Sequence, residues 1–261
     1  MGSFRNNRDE LKTFLEEKVR QYNRPEFIEN DPVSIPRSFS RKENIEISAF
    51  LSSAIAWGNR VSILKNAWHL MFLMDNDPYT FITRASEGER RVLSRFVHRT
   101  INGEDMLFFT ESLRNIYLHH GGLEEVFSNS WKDSGEVRYA LIRFHSLFFS
   151  IPSPSRSRRH IADVAEGSAA KRINLFLRWM VRSDNEGVDL GIWKKIPASA
   201  LMLPLDVHTG RVARKLGLLR RNQNDWKAVE EVTSVLREWD PLDPIKYDFA
   251  LFGLGMFEGF V

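Results

Sequence analysis

The sequence predicts an all-α protein, and three observations carry that reading. Apolar residues recur at helical spacing in several windows, no long alternating strand pattern competes, and loops marked by proline and aspartate separate the windows. Ile47, Phe50, Leu51, Ala54 and Ile55 form the first apolar face, after the loop Asn30-Asp-Pro-Val-Ser-Ile-Pro36. A further helix runs from Val61 to Met74 and stops at Asp75-Asn-Asp-Pro78. His119-His120-Gly-Gly122 reads as a helix terminus, because adjacent histidines point apart on a helix and no carboxylate spacing completes a metal site. Ile151-Pro-Ser-Pro-Ser-Arg-Ser157 is the clearest loop and marks a lobe switch near 151–160. Beyond it, Ile173, Phe176, Leu177 and Met180 follow the i, i+3, i+4, i+7 rule. The loop Ser183–Gly187 separates that helix from a second, Val207–Leu216, ending at Gly217. Asp240-Pro-Leu-Asp-Pro244 introduces a last apolar helix, Ile245–Met256.

Length and composition bound the function. At 261 residues and 43% hydrophobic, the chain can bury a sizeable core as one large domain or two lobes. It has no cysteine, which excludes disulfides, cysteine nucleophiles and cysteine-ligated zinc or iron–sulfur sites. No run of apolar residues is long enough to span a bilayer, and the polar start Met1-Gly-Ser-Phe-Arg-Asn-Asn-Arg8 lacks a secretory core, so a cytoplasmic protein is expected. The net charge of +3 is modest, but its distribution is uneven. Between Lys171 and Arg221 stand eleven Lys/Arg (171, 172, 178, 182, 194, 195, 211, 214, 215, 220, 221) against four Asp/Glu (184, 186, 189, 206). Arg156, Arg158, Arg159 and His160 lie just before them. Such concentration favours a polyanionic partner over a membrane, with a solvated charged face as the plain alternative.

Two residues in this region carry candidate chemistry. Asp206 follows Pro204-Leu205 and precedes the helix Val207–Leu216, so its carboxylate can accept from the orphan amides of the first turn; capping alone explains it. Lys171 heads the preceding helix and shares a face with Leu175, Arg178 and Arg182, a stripe that phosphates would suit. As a nucleophile its amine would have to be deprotonated by burial or by neighbouring cations. No P-loop, dinucleotide fingerprint or nucleophile elbow is present.

Taken as a pair, these segments resemble the helix–hairpin–helix DNA glycosylase superfamily, which includes endonuclease III and the 8-oxoguanine glycosylases. Lys171-Arg-Ile-Asn-Leu-Phe-Leu177 is similar to the lysine-led start of that family's second hairpin helix. Leu205-Asp-Val-His208 with Arg211-Val-Ala213 and Leu216-Gly217 is similar to its aspartate turn. Ile47–Arg60 resembles an early helix whose following turn supplies residues that fill the gap left by a flipped base. More narrowly, Phe27-Ile-x-x-Asp31-Pro, Ala56-Trp-Gly-Asn-Arg60 and Asn174–Arg182 look like blocks of an uncharacterised bacterial family within the superfamily. The chain departs from the pattern in its hairpin, Val164-Ala-Glu-Gly-Ser-Ala-Ala170, which has one glycine and an added carboxylate. It departs also in the segment Gly187–Met202 inserted between Lys171 and Asp206.

The resemblance implies one helical unit, residues 1–261, of two packed lobes, with the terminal helices sharing a lobe. It implies excision of a damaged base from DNA, expected double-stranded, with lyase activity through a Schiff base on Lys171 and with Asp206 as its catalytic partner. Gly167, Ser168, Arg172, Arg178, Arg211, Asn59 and Arg60 are the expected DNA contacts. Trp193 and Trp57 are expected to line the pocket for the extruded base, against the ordinary preference of large aromatics for the core. No cofactor, metal or iron–sulfur cluster is expected, and a monomer is favoured. The competing readings are a nucleic-acid-binding protein of the same fold without excision activity, and an enzyme acting on RNA or modified nucleotides.

Overall fold

The computed structural model describes residues 8–260, so the reading of the polar start, residues 1–7, lies outside the described residues. The chain is 64% helix and 2% strand, an all-α composition. Two compact units divide it: Ile28–Asp163, and a discontinuous unit made of the chain through Phe27 and the chain from Val164 onward. The discontinuous unit begins with α1 (Arg8–Tyr22), which buries Leu11, Leu15, Val19 and Tyr22, one stripe of a 3.6-residue period.

The Ile28–Asp163 unit contains α2 (Ser34–Arg37), α3 (Lys42–Ala54), α4 (Arg60–Leu73), α5 (Pro78–Arg84) and α6 (Glu87–Arg90). The two-residue strands β1 (Val97–His98) and β2 (Ile101–Asn102) follow, then α7 (Gly103–His119), α8 (Leu123–Ser134) and α9 (Val137–Phe148). Side-chain caps start four of these helices, α4 to α7. Asn59 accepts from the Ser62 amide at the head of α4, and Asp77 accepts from Thr80 ahead of α5, whose first residue is Pro78. Asn102 and Asp105 form a reciprocal capping box on α7. The core is aromatic: Phe50 packs its edge on Phe144 with centroids 5.6 Å apart, and Phe144 stacks on Phe127 at 4.7 Å. The basic segment Ser155–His160 forms a 3-10 helix, tied to α7 where the Ser157 hydroxyl donates to the buried Asp105 carboxylate at 2.7 Å.

In the discontinuous unit, α1 is joined by α10 (Lys171–Val181), α11 (Val207–Lys215), α12 (Trp226–Trp239) and α13 (Tyr247–Phe257). The apolar α13 touches both α1 and α11. Gly253 lets it approach α1, since a Cβ there would stand 2.1 Å from the Tyr22 ring. Residues 183–206 contain no α-helix, only the 3-10 turn Ala198–Ala200, and they fold back on the end of α10. There the amides of Leu190 and Gly191 donate to the Trp179 carbonyl, and that of Trp193 to Met180 at 2.8 Å, which satisfies orphan carbonyls of the last turn.

Candidate active site

Asp206 is the N-cap of α11, as its position predicts. Its Oδ1 accepts the amides of His208 (2.8 Å) and Thr209 (3.0 Å) and the Thr209 hydroxyl (3.2 Å), while that hydroxyl also accepts the Asp206 amide at 2.8 Å. The cap consumes one oxygen and fixes the carboxylate plane. Oδ2 remains, and it faces Lys171 Nζ at 3.9 Å. Lys171 is the first residue of α10, entered through Ala170 in the left-handed region (φ 49°). Both side chains are about a quarter exposed, at 27% and 24%, so the pair is open to a ligand and partly shielded from water. An amine and a carboxylate so placed can exchange a proton after a small approach, and can act on one bound atom together.

Asp248 is the residue that sequence reasoning missed. It projects from α13, is buried, and accepts from Arg178 Nη1 of α10. Burial pushes its carboxyl up to about 6, and the charge of Asp206 pushes the same way, while Arg178 and Lys171 pull it down. The four charged groups Lys171, Asp206, Asp248 and Arg178 therefore feel one another. A lone carboxylate in the apolar run Ile245–Met256 was the available signal.

Other expected contacts are placed differently. Arg178, expected at DNA, is buried: its Nε donates to Asp189 at 3.1 Å, and its guanidinium lies over the Phe249 ring. Arg182 is buried as well, held by Asp184, Asp189 and Asp243. The stripe that continues from Lys171 is thus an internal ion-pair network, because α10 is buried on nearly every face beyond Arg172. Arg172 is partly buried, and burial pushes its guanidinium down to about 10. Trp193, expected at the base pocket, is fully buried with its edge toward Phe176, centroids 5.4 Å apart, so it belongs to the core. The inserted segment anchors on it while Lys194 and Lys195 stay exposed.

Gly167 forms the turn before Lys171 (φ +86°), with its amide donating to Val164 and its carbonyl accepting from Trp226. Ser168 pairs with Asp225 in an isolated bridge, and Arg211 is exposed on α11. The helical segment ahead of this turn is the 3-10 helix Ser155–His160. Asn59, Arg60 and Trp57 belong to the Ile28–Asp163 unit. There Asn59 is a helix cap, Arg60 approaches Asp31 at 3.9 Å, and Trp57 carries the Arg99 guanidinium 4.8 Å from its ring centroid. The structure thus brings Lys171 and Asp206 together and turns Arg178 and Trp193 inward. Among the described residues no cluster of His, Asp and Glu fits a metal ion, and no helix is long and apolar enough to cross a membrane.

These features define a helical protein with an accessible lysine–aspartate pair at the N-termini of two helices. A family profile matches residues 31–257, and the chain belongs to that family, described as proteins of unknown function (DUF2400). Comparison with curated proteins and with solved structures gives no match.

Proposed function

We propose that the protein is a DNA base-excision glycosylase with abasic-site lyase activity, using Lys171 as nucleophile and Asp206 as its partner. The observation that carries the reading is the 3.9 Å separation of Lys171 Nζ from the uncapped oxygen of Asp206. A damaged base would leave the stack before chemistry. The C1′–N glycosidic bond breaks with its electron pair going to the base, which takes up a proton. Positive charge builds on the sugar ring, where the Asp206 carboxylate stabilises it. The unprotonated Lys171 amine then forms a bond to C1′, having given a proton to Asp206 or to water, and opening of the sugar ring leaves a Schiff base. Loss of a C2′ proton and of the 3′ phosphate by β-elimination cleaves the strand, and hydrolysis of the imine returns the lysine.

The supporting features are the open pair, the exposed cations Lys194, Lys195, Arg211 and Lys215 of the same unit, and the similarity of both segments to the glycosylase superfamily. The test is a panel of duplexes containing 8-oxoguanine, oxidised pyrimidines or an abasic site, scored for base release and strand nicking. Nicking of the abasic duplex that depends on Lys171 supports the reading; absence of nicking on every duplex overturns it. A second reading is favoured by one observation: the turn before Lys171 has a single glycine and carries Glu166, a poor phosphate grip. A binder without excision activity would hold DNA with steep salt dependence and ignore Asp206→Asn.

A further inference from the structure

The connection between α11 and α12 carries an open cleft of about 650 Å³, lined by Arg220, Arg221, Asn222, Gln223, Lys227 and Glu231. Its walls are fixed from several sides. Arg214 donates from Nε to the Arg221 carbonyl at 2.7 Å and holds the loop to α11. Arg221 pairs with Asp225 (Nε to Oδ1, 2.7 Å), and its Nη2 donates to Gln223 Oε1 at 3.2 Å, which turns that amide into a fixed donor. The same pairing holds the Asp225 carboxyl down to about 2, so that charge is spent locally. Glu231 is the acidic group of the wall, and its Oε1 accepts the Arg220 amide at 2.7 Å. The side chains of Arg220 and Lys227 are exposed, and neither is paired with a carboxylate among the described residues.

The loop is also tied to the candidate active site by three consecutive residues at its α12 end. Asn224 Nδ2 donates to the Asp206 carbonyl at 2.9 Å, and its Oδ1 accepts from Arg214 at 2.6 Å. Asp225 and Trp226 bond to Ser168 and Gly167, the turn that leads into Lys171. A ligand in the cleft therefore reaches the loop that holds both Asp206 and the Lys171 turn in place.

We infer that this cleft is a subsite for backbone phosphates of a nucleic-acid strand that passes from it toward Lys171 and Asp206. The inference rests on the nucleic-acid reading above. Two cations without a carboxylate partner among the described residues and the Gln223 amide held by Arg221 suit phosphate oxygens, and an open cleft suits a continuous strand better than an enclosed small molecule. Such contacts position a strand without reading its sequence.

The test is anisotropy binding of a duplex with a tetrahydrofuran abasic analogue over a salt series. The double variant Arg220→Gln/Lys227→Gln is compared with wild type and with Lys132→Gln/Arg138→Gln, which removes two exposed cations from the other unit. Removing two phosphate contacts reduces the slope of log K against log salt by about 2 and weakens binding by about 10-fold at physiological salt. The expected result is that loss in the cleft variant alone, with melting temperatures unchanged in both. If wild type binds the duplex and the cleft variant keeps its slope, or the control loses as much, the cleft proposal is overturned while the functional reading stands. If wild type shows no salt-dependent binding to any duplex or single strand, both are overturned.

Discussion

Replacing Asp206 separates two roles that one side chain combines. Oδ1 caps α11, and Oδ2 faces Lys171 at 3.9 Å. Asn keeps a carbonyl oxygen for the amides of His208 and Thr209, and Asn and Asp are near-equal caps, so Asp206→Asn should cost within about 1 kcal/mol of stability. Asp206→Ala removes the cap and should cost about 1–2 kcal/mol. The charge is a separate quantity. With both side chains about a quarter exposed, the ion pair itself adds no more than about 1 kcal/mol to stability. The rate effect comes from the carboxylate as acceptor of the Lys171 proton, and removing a general base of this kind in Asp206→Asn should slow Schiff-base formation by about 100-fold or more. Urea unfolding measures the first quantity, and the rate of borohydride-trapped adduct on an abasic duplex measures the second. If Asp206→Asn traps at the wild-type rate, Asp206 is only a cap and the catalytic reasoning fails.

Further outcomes concern the surroundings of the pair. Arg182→Ala leaves Asp184, Asp189 and Asp243 without their shared cation and should cost about 3–5 kcal/mol by urea denaturation. A loss under about 1 kcal/mol would contradict the buried network. Trp193→Ala should destabilise by about 3–5 kcal/mol as a core deletion. Loss of activity at unchanged stability would instead restore it to a base pocket. Asp248 is raised from 3.8 to about 6, so the folded chain holds its proton more tightly than the unfolded chain. Its contribution to stability is full below about pH 4 and is lost as pH rises toward about 6. Asp248→Asn should flatten the unfolding profile across that window, and identical profiles for the two proteins would refute the placement.

Much of the fold was legible because its signals are local. The stop of α4 at Asp75-Asn-Asp-Pro78, the start of α10 at Lys171, the Asp206 cap and the end of α11 ahead of Gly217 (φ +77°) each depend on a few neighbouring residues. The two-residue strands β1 and β2 are too short to show alternation. What was illegible is set by partners distant along the chain. Leu175, Arg178 and Arg182 read as a stripe facing phosphates, and only the approach of Asp189, Asp243 and Asp248 turns those guanidinium groups inward. Trp193 stands among Lys194 and Lys195, so local polarity hid an anchor that Phe176 buries. The candidate pair itself shows both limits. Each residue's helix position was readable, and the distance between them is a property of packing.

The most direct measurement is borohydride reduction of the full-length protein with an abasic-site duplex, followed by peptide mass mapping. The account predicts a covalent adduct located on the Lys171 peptide and its loss in Lys171→Gln, whose unfolding midpoint stays near that of wild type. No adduct with wild type, or an adduct that persists in Lys171→Gln, would contradict it.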